Sequence, residues 1–168
     1  PRAHVLSNSA LMLNAAGRVT GRYDKMRLLA FGEYLPPIAA VPWVQRLIPP
    51  GFGNFSPGAA IHTLPLDAGS PTAWRIGVAI CYEDILQDFV GRVGQQHPHL
   101  LVNLTNDTWF GDGGEPWQHL ALAVLASVEQ RVTLVRAVNS GVSAFVSPTG
   151  HLLHYIPAVD PAVHSYPA

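Results

Sequence analysis

Apolar and polar positions divide this chain into short elements separated by turn-rich stretches. Residues 5–14 are apolar and tolerant of a strand, Ala15-Ala16-Gly17-Arg18 supplies a turn, and residues 19–23 return as a second strand. Residues 32–58 hold Pro36, Pro37, Pro42, Pro49, Pro50, Gly51, Gly53, Pro57 and Gly58, too many breakers for long regular elements, so this stretch is expected to be a surface loop with one helical turn near 43–48. Beyond it, residues 61–66 and 74–80 predict strands. Ile85, Leu86, Phe89, Val90 and Val93 recur at helical spacing over 84–93. A strand over 99–104, a polar loop over 105–116 and a helix over 117–131 follow. Strands over 133–138, 142–146 and 151–156 close the chain, the last after a Pro148-Thr149-Gly150 turn. Strands interleaved with helices predict an α/β fold, a central sheet packed by helices.

Composition narrows the function classes. Of 168 residues, 48% are hydrophobic and only 12% charged, about half the usual charged share, so the chain is expected to lean on further chain, a partner or a membrane. Net charge is −1 and the arginines are scattered, which leaves no basic stripe for nucleic acid. One cysteine excludes an internal disulfide and any multi-cysteine zinc site. The close histidine pairs, His97/His99 and His151/His154, lack the further ligands of a structural metal, so no metal is expected. No apolar run approaches the ~20 residues of a membrane-spanning helix. The opening Pro1-Arg2-Ala3-His4 has neither initiator methionine nor signal-peptide pattern, and the chain is read as part of a longer protein.

Two residues stand out by scarcity. Lys25 is the one lysine and Cys81 the one cysteine. Cys81 falls where the 74–80 strand meets the following helix, at the carboxyl end of the sheet, where α/β proteins bind ligands. A helix start there favours a thiolate and can hydrogen-bond a developing oxyanion, with Glu83 or Asp84 as its cap. A nearby lysine would lower the thiol pKa and hold the negative oxygen of a tetrahedral intermediate. The plainer alternatives are a small buried residue ending a strand and a solvated Asp24-Lys25 pair. A third stretch, residues 103–112, puts Asn106, Asp107, Trp109 and Phe110 in one loop beyond a strand end; its alternative is an Asx turn with aromatics packed on the core.

Together these stretches resemble a known family. Tyr23-Asp24-Lys25, Phe31-Gly32-Glu33-Tyr34-Leu35-Pro36, Ile80-Cys81-Tyr82-Glu83, Asn106-Asp107-Thr108-Trp109-Phe110-Gly111-Asp112 and Pro116-Trp117-Gln118-His119 are similar to motifs of the carbon–nitrogen hydrolase (nitrilase) superfamily. Within it they resemble the apolipoprotein N-acyltransferases. Arg136-Ala137-Val138-Asn139-Ser140-Gly141-Val142-Ser143 and Pro148-Thr149-Gly150 extend the match over nearly the whole chain.

The resemblance implies an α-β-β-α sandwich with a Glu-Lys-Cys triad. Residues 1–168 would be the C-terminal portion of such a domain, lacking N-terminal strands and the flanking membrane helices. Cys81 would be the nucleophile, and Lys25 would contribute to the oxyanion site with the backbone N–H of Tyr82. Glu33 and Glu83 match acidic positions needed near the thiol. Asn106, Trp109 and Phe110 are substrate-binding candidates, with Trp109 lining the lipid-facing part. The general-base glutamate would lie upstream of the lysine, outside this chain, so the piece alone is expected to be inactive.

The reaction implied is transfer of a fatty acyl group from a phospholipid, through a cysteine thioester, to the N-terminal diacylglyceryl-cysteine amine of a lipoprotein. It would run on the extracytoplasmic side of a bacterial inner membrane without metal or organic cofactor. The 35–58 loop, with Trp43, Leu47, Ile48, Phe52 and Phe55, either dips into the lipid interface or packs over its own sheet. The rival readings are a soluble nitrilase-like amidase and a non-catalytic interaction domain.

Overall fold

The computed structural model describes residues 6–46, 55–67, 73–108 and 114–157. Two strands, β1 (Ser9–Leu13) and β2 (Val19–Asp24), form an antiparallel hairpin. Its turn follows from Asn14, whose side-chain oxygen accepts the N–H groups of Ala16 and Arg18 at 3.0 Å each, and from Gly17, which takes the left-handed φ of 73° that a side chain would oppose. A 3-10 turn (Pro37–Ala40) and the one-turn helix α1 (Pro42–Gln45) occupy the proline-rich stretch. The apolar residues Leu47, Ile48 and Phe52 of that stretch lie outside the described residues.

The remaining strands make one six-stranded sheet in the order β3 (Leu64–Leu66), β4 (Trp74–Ile80), β5 (Leu100–Thr105), β6 (Leu134–Val138), β7 (Ser143–Val146) and β8 (Leu152–Ile156). β4, β5 and β6 run parallel, as crossover helices require, and the flanking pairs are antiparallel. The crossovers are α2 (Gln87–Gly94) and α3 (Glu115–Gln130), which pack on each other and on the sheet. Gly77 lets α2 come this close, because a Cβ there would sit 2.7 Å from Val93 Cγ1. Phe89, Val90 and Val93 of α2 and Leu120, Ala123 and Ala126 of α3 close a core over Ile76, Val78, Leu101, Leu134 and Val146. The hairpin joins that core through Ala10 and Tyr23, beside β3 and β4. Among the described residues no helix is long and apolar enough to cross a membrane.

Most predicted elements appear with trimmed ends, but the helix expected over 84–93 does not. A 3-10 turn, Cys81–Ile85, comes first; Leu86 then turns extended (φ −86°, ψ 100°), and α2 begins only at Gln87. The local pattern was compatible with one continuous helix. It is broken because Glu83 and Asp84 are both drawn inward to partners far along the chain, as described below. Cys81 therefore stands at the head of a five-residue 3-10 turn and not of a long helix.

Candidate active site

The register sets where the chemistry collects. Ile80 pairs with Leu104 and Thr105 with Val138, so the carboxyl ends of β4, β5 and β6 deliver Cys81, the segment from Asn106 and Asn139 to one edge of the sheet.

Cys81 is partly buried and has φ 56°. A left-handed residue with a side chain costs roughly 1–2 kcal/mol, and such strain persists only where the surroundings over-determine it. Here Asn103 Nδ2 donates to the Cys81 carbonyl at 2.9 Å, while the Ile80 N–H donates to Glu83 Oε2 at 2.8 Å. The chain is thus gripped on both sides of the thiol.

Glu83 also reaches the lysine segment. Its carboxylate accepts the N–H groups of Met26 and Arg27 at 2.8 Å each and the Tyr23 hydroxyl at 2.9 Å. Burial pushes the Glu83 carboxyl above its ordinary range, against the pull of those donors from Arg27, Ile80, Met26 and Tyr23. Glu83 therefore fastens the turn after Cys81 to the two residues after Lys25. The anticipated cap is made by Glu83 alone; Asp84 points to other partners.

Lys25 is 2% exposed, and its ammonium sits 2.7 Å from Glu33 Oε2 and 5.1 Å from the centre of the Tyr82 ring. The solvated surface pair Asp24-Lys25 is thereby excluded: Asp24 bonds Ser9 and Arg22 instead. Glu33 is held by the Asn8 amide and the Leu29 N–H, each at 2.8 Å. Burial works against its ionisation, but Lys25, Leu29 and Asn8 outweigh it and keep the carboxyl below the usual range. An ionised Glu33 engages one of the ammonium's three N–H donors, and no other described side chain accepts from it. Lys25 is further held by its own N–H to Asn8 O and by its carbonyl, which takes the Gly58 N–H, both at 2.8 Å. Tyr82 donates its hydroxyl to Leu28 O at 3.0 Å, so Cys81, Lys25, Glu33, Tyr82 and Glu83 form one connected unit.

Asn106 stands just after β5. Its side-chain oxygen takes the Thr108 N–H at 3.1 Å and the Thr108 hydroxyl, which makes an Asx turn. Trp109 and Phe110 lie outside the described residues.

Behind this unit is a buried ionic group whose contacts the sequence did not announce. Arg136 Nη1 donates to Asp84 Oδ2 at 2.7 Å and Asn103 Oδ1 at 3.0 Å, and Nη2 donates to Asp107 Oδ2 at 3.0 Å. His119 stands between the same acids, Nε2 at 3.0 Å from Asp84 and Nδ1 at 3.1 Å from Asp107. Carboxylates accept only, so both ring nitrogens donate and the ring is an imidazolium. Burial alone would lower its pKa, but the bonds to Asp107 and Asp84 push it up to about 9. Asp107 is desolvated yet held low by His119 and Arg136. Gly141 leaves the space for this, since a Cβ there would lie 2.4 Å from Asp107 Oδ2. Asp107, Glu115 and His119 bring three potential ligand atoms within 4.8 Å of one another. Their negative charge is already met by Arg136 and the imidazolium, so the arrangement is that of an ion-pair network. The available signal was a charge or amide inside an otherwise apolar strand, Asn103 in β5 and Arg136 in β6.

Comparison with known proteins identifies the family. The carbon-nitrogen hydrolase family model matches residues 2–158. The chain is 41% identical over 156 residues to the apolipoprotein N-acyltransferase of Geobacter metallireducens, covering 93% of this chain and 29% of that protein. It is 38% identical to the Rhodopseudomonas palustris enzyme of the same name, covering 87% and 26%. The chain thus spans less than a third of these relatives' length. Among solved structures, Saccharomyces cerevisiae Nit3, of the nitrilase superfamily, superposes with TM-score 0.67 at 15% identity, covering 95% of this chain and 52% of that one. An amidase from Nesterenkonia sp. superposes with TM-score 0.63 at 20% identity, covering 90% and 51%. A structure of a point mutant of that amidase, with TM-score 0.62 and 19% identity, covering 89% and 51%, has the acetamide moiety of fluoroacetamide added covalently at its active-site cysteine. The fold is the α/β fold of the nitrilase superfamily, and this chain belongs to the carbon–nitrogen hydrolase family.

Proposed function

We propose that this chain supplies the nucleophile and oxyanion side of an N-acyltransferase that moves a fatty acyl group from a phospholipid to a lipoprotein's N-terminal diacylglyceryl-cysteine. The observation behind this reading is the strained Cys81 turn locked, through Glu83, to a buried lysine with N–H donors to spare. The Cys81 thiolate attacks the ester carbonyl of the phospholipid. The resulting oxyanion is met by the Lys25 ammonium and the Tyr82 N–H, and the intermediate expels the lysophospholipid alkoxide, which takes up the proton that the Cys81 thiol gave to a general base on becoming a thiolate. The thioester left on Cys81 is attacked by the acceptor amine. The C–S bond breaks, an amide forms, and the amine's proton restores the thiol. Glu33 holds the lysine, and Glu83 holds the turn. The names of the relatives support acyl transfer to the amine of a lipoprotein. Exposed Trp43 (64%) and Ile38 (52%) support contact between the proline-rich loop and lipid.

The test is mass spectrometry of the full-length protein with labelled phospholipid. An acyl adduct on Cys81 that passes to a diacylglyceryl-cysteine peptide is expected, and Cys81→Ser should abolish it. Lys25→Arg keeps the charge but not its position, and should slow acylation by roughly 10²–10³-fold, the usual cost of losing an oxyanion donor. Release of the acyl group to water despite excess amine would favour the amidase reading. No adduct at all would favour a non-catalytic domain.

A further inference from the structure

The turn that carries Cys81 and the segment just after β5 meet at a common buried ion cluster. Arg136 and His119 each donate to both Asp84, three residues beyond the thiol, and Asp107, two residues before Trp109. Arg136 also holds the oxygen of Asn103, whose amide nitrogen holds the Cys81 carbonyl. We propose that His119 and Arg136 are positioning residues, a double clamp that keeps Cys81 in its left-handed conformation and fixes Asp107, just after β5, relative to it. This rests on the acyl-transfer reading above.

The physical reason is the strain at Cys81. A residue at φ 56° relaxes to negative φ when its neighbours let it, and that rotation redirects the thiol. The chain of bonds from Arg136 through Asn103 to the Cys81 carbonyl opposes the rotation from one side. The Asp84 anchor opposes it from the other. The Asn103 anchor ends on Arg136 and the Asp84 anchor on Arg136 and His119, and both cations also hold Asp107, so losing either one loosens the turn and Asp107 together. A misplacement near 1 Å at a reacting centre can cost on the order of 10²-fold in rate, even when binding survives. The groups facing the imidazole are Asp84 from the Cys81 turn, Asp107 from the loop after β5, Glu115 from its own helix at 3.8 Å, and Arg136 from β6.

The experiment uses the full-length protein and the variants His119→Gln and Arg136→Lys. Folded sites are counted by stoichiometric alkylation of Cys81 with iodoacetamide, and single-turnover acylation by phospholipid is then expressed per counted site. The clamp predicts a fall in kcat of roughly tenfold or more, with KM for phospholipid within about twofold. It also predicts that the wild-type acylation rate declines as pH rises through about 9, a limb that His119→Gln lacks. Wild-type rates per site in both variants, or a change confined to KM, would overturn it. If neither variant yields countable sites, the wild-type profile decides: a rate that stays flat well above that pH overturns the clamp. A wild-type protein that forms no acyl adduct defeats the acyl-transfer reading separately. The clamp is then judged by the rate of Cys81 alkylation, which should drop roughly tenfold in the variants and overturns it if unchanged.

Discussion

Glu83 and Asp84 are consecutive acids in one 3-10 turn, sealed from solvent to 0% and 2% exposure, yet their charges are accommodated in opposite ways. Glu83 faces the lysine segment and meets only neutral donors: three backbone N–H groups and the Tyr23 hydroxyl. Asp84 faces β6 and α3 and meets two full cations, Arg136 and the His119 imidazolium. Dipoles orient an acid and fix the backbone around it, but they leave its desolvation uncompensated, which is why the Glu83 carboxyl is pushed upward. Cations compensate the charge, but they then depend on the acid as much as it depends on them. One turn therefore has a side that shapes the backbone and a side that stores electrostatic energy.

The comparison breaks most visibly at the cation side. Arg136→Met should destabilise the full-length protein by about 3–5 kcal/mol, because it leaves Asp84 and Asp107 to share a single cation, His119; thermal or denaturant unfolding would show it. A loss below about 1 kcal/mol would mean the network is not held as an ion cluster. On the dipole side, Glu83→Ala leaves four donors without their acceptor and should cost on the order of 3 kcal/mol in the same measurement. It should also speed hydrogen exchange at the Met26 and Arg27 amides, which an Arg136 variant should leave protected.

A pH series separates the two sides more gently. The folded pKa of His119 is raised from its ordinary 6.5 to about 9. Its contribution is therefore complete below about pH 6.5 and is lost as pH climbs through about 9, on the order of 3 kcal/mol. The expected decline in Tm over that window should vanish in His119→Gln. The smallest effect belongs to the exposed pair Arg27–Asp88, which joins the lysine segment to α2 at the surface. Asp88→Asn should change stability by less than about 1 kcal/mol and, unlike the buried substitutions, by less still at high salt.

Much of the fold was legible because its signals are local. The apolar run of β4, the alternation ending at Pro148-Thr149-Gly150 and the spacing in α3 each lie within one element, and each element appears within a few residues of its expected place. The helix expected over 84–93 was legible only in part. Its apolar spacing holds in α2, but the break at Leu86 follows from contacts of Asp84 with residues 35 and 52 positions away. The same division holds at the site. Cys81 and Lys25 could be picked out by scarcity and by position at strand ends, and Glu33 and Glu83 by family resemblance. His119 and Arg136 lie within the stretches that resemble the family, and Asn103 and Arg136 are polar residues in apolar strands, but neither cue reveals which partners they meet.

By itself, the amino-acid order determined the strand and helix periods, the turn at Asn14 and the chemistry on offer, since these depend on neighbours within a few bonds or one helical turn. The tertiary structure alone decided how each charge is used. It paired Lys25 with Glu33, set Glu83 among dipoles and Asp84 among cations, and held Cys81 at a backbone angle it would not adopt unaided. The reason is that removal from water makes every charge depend on its partners, and those partners come together only when distant segments close on one another.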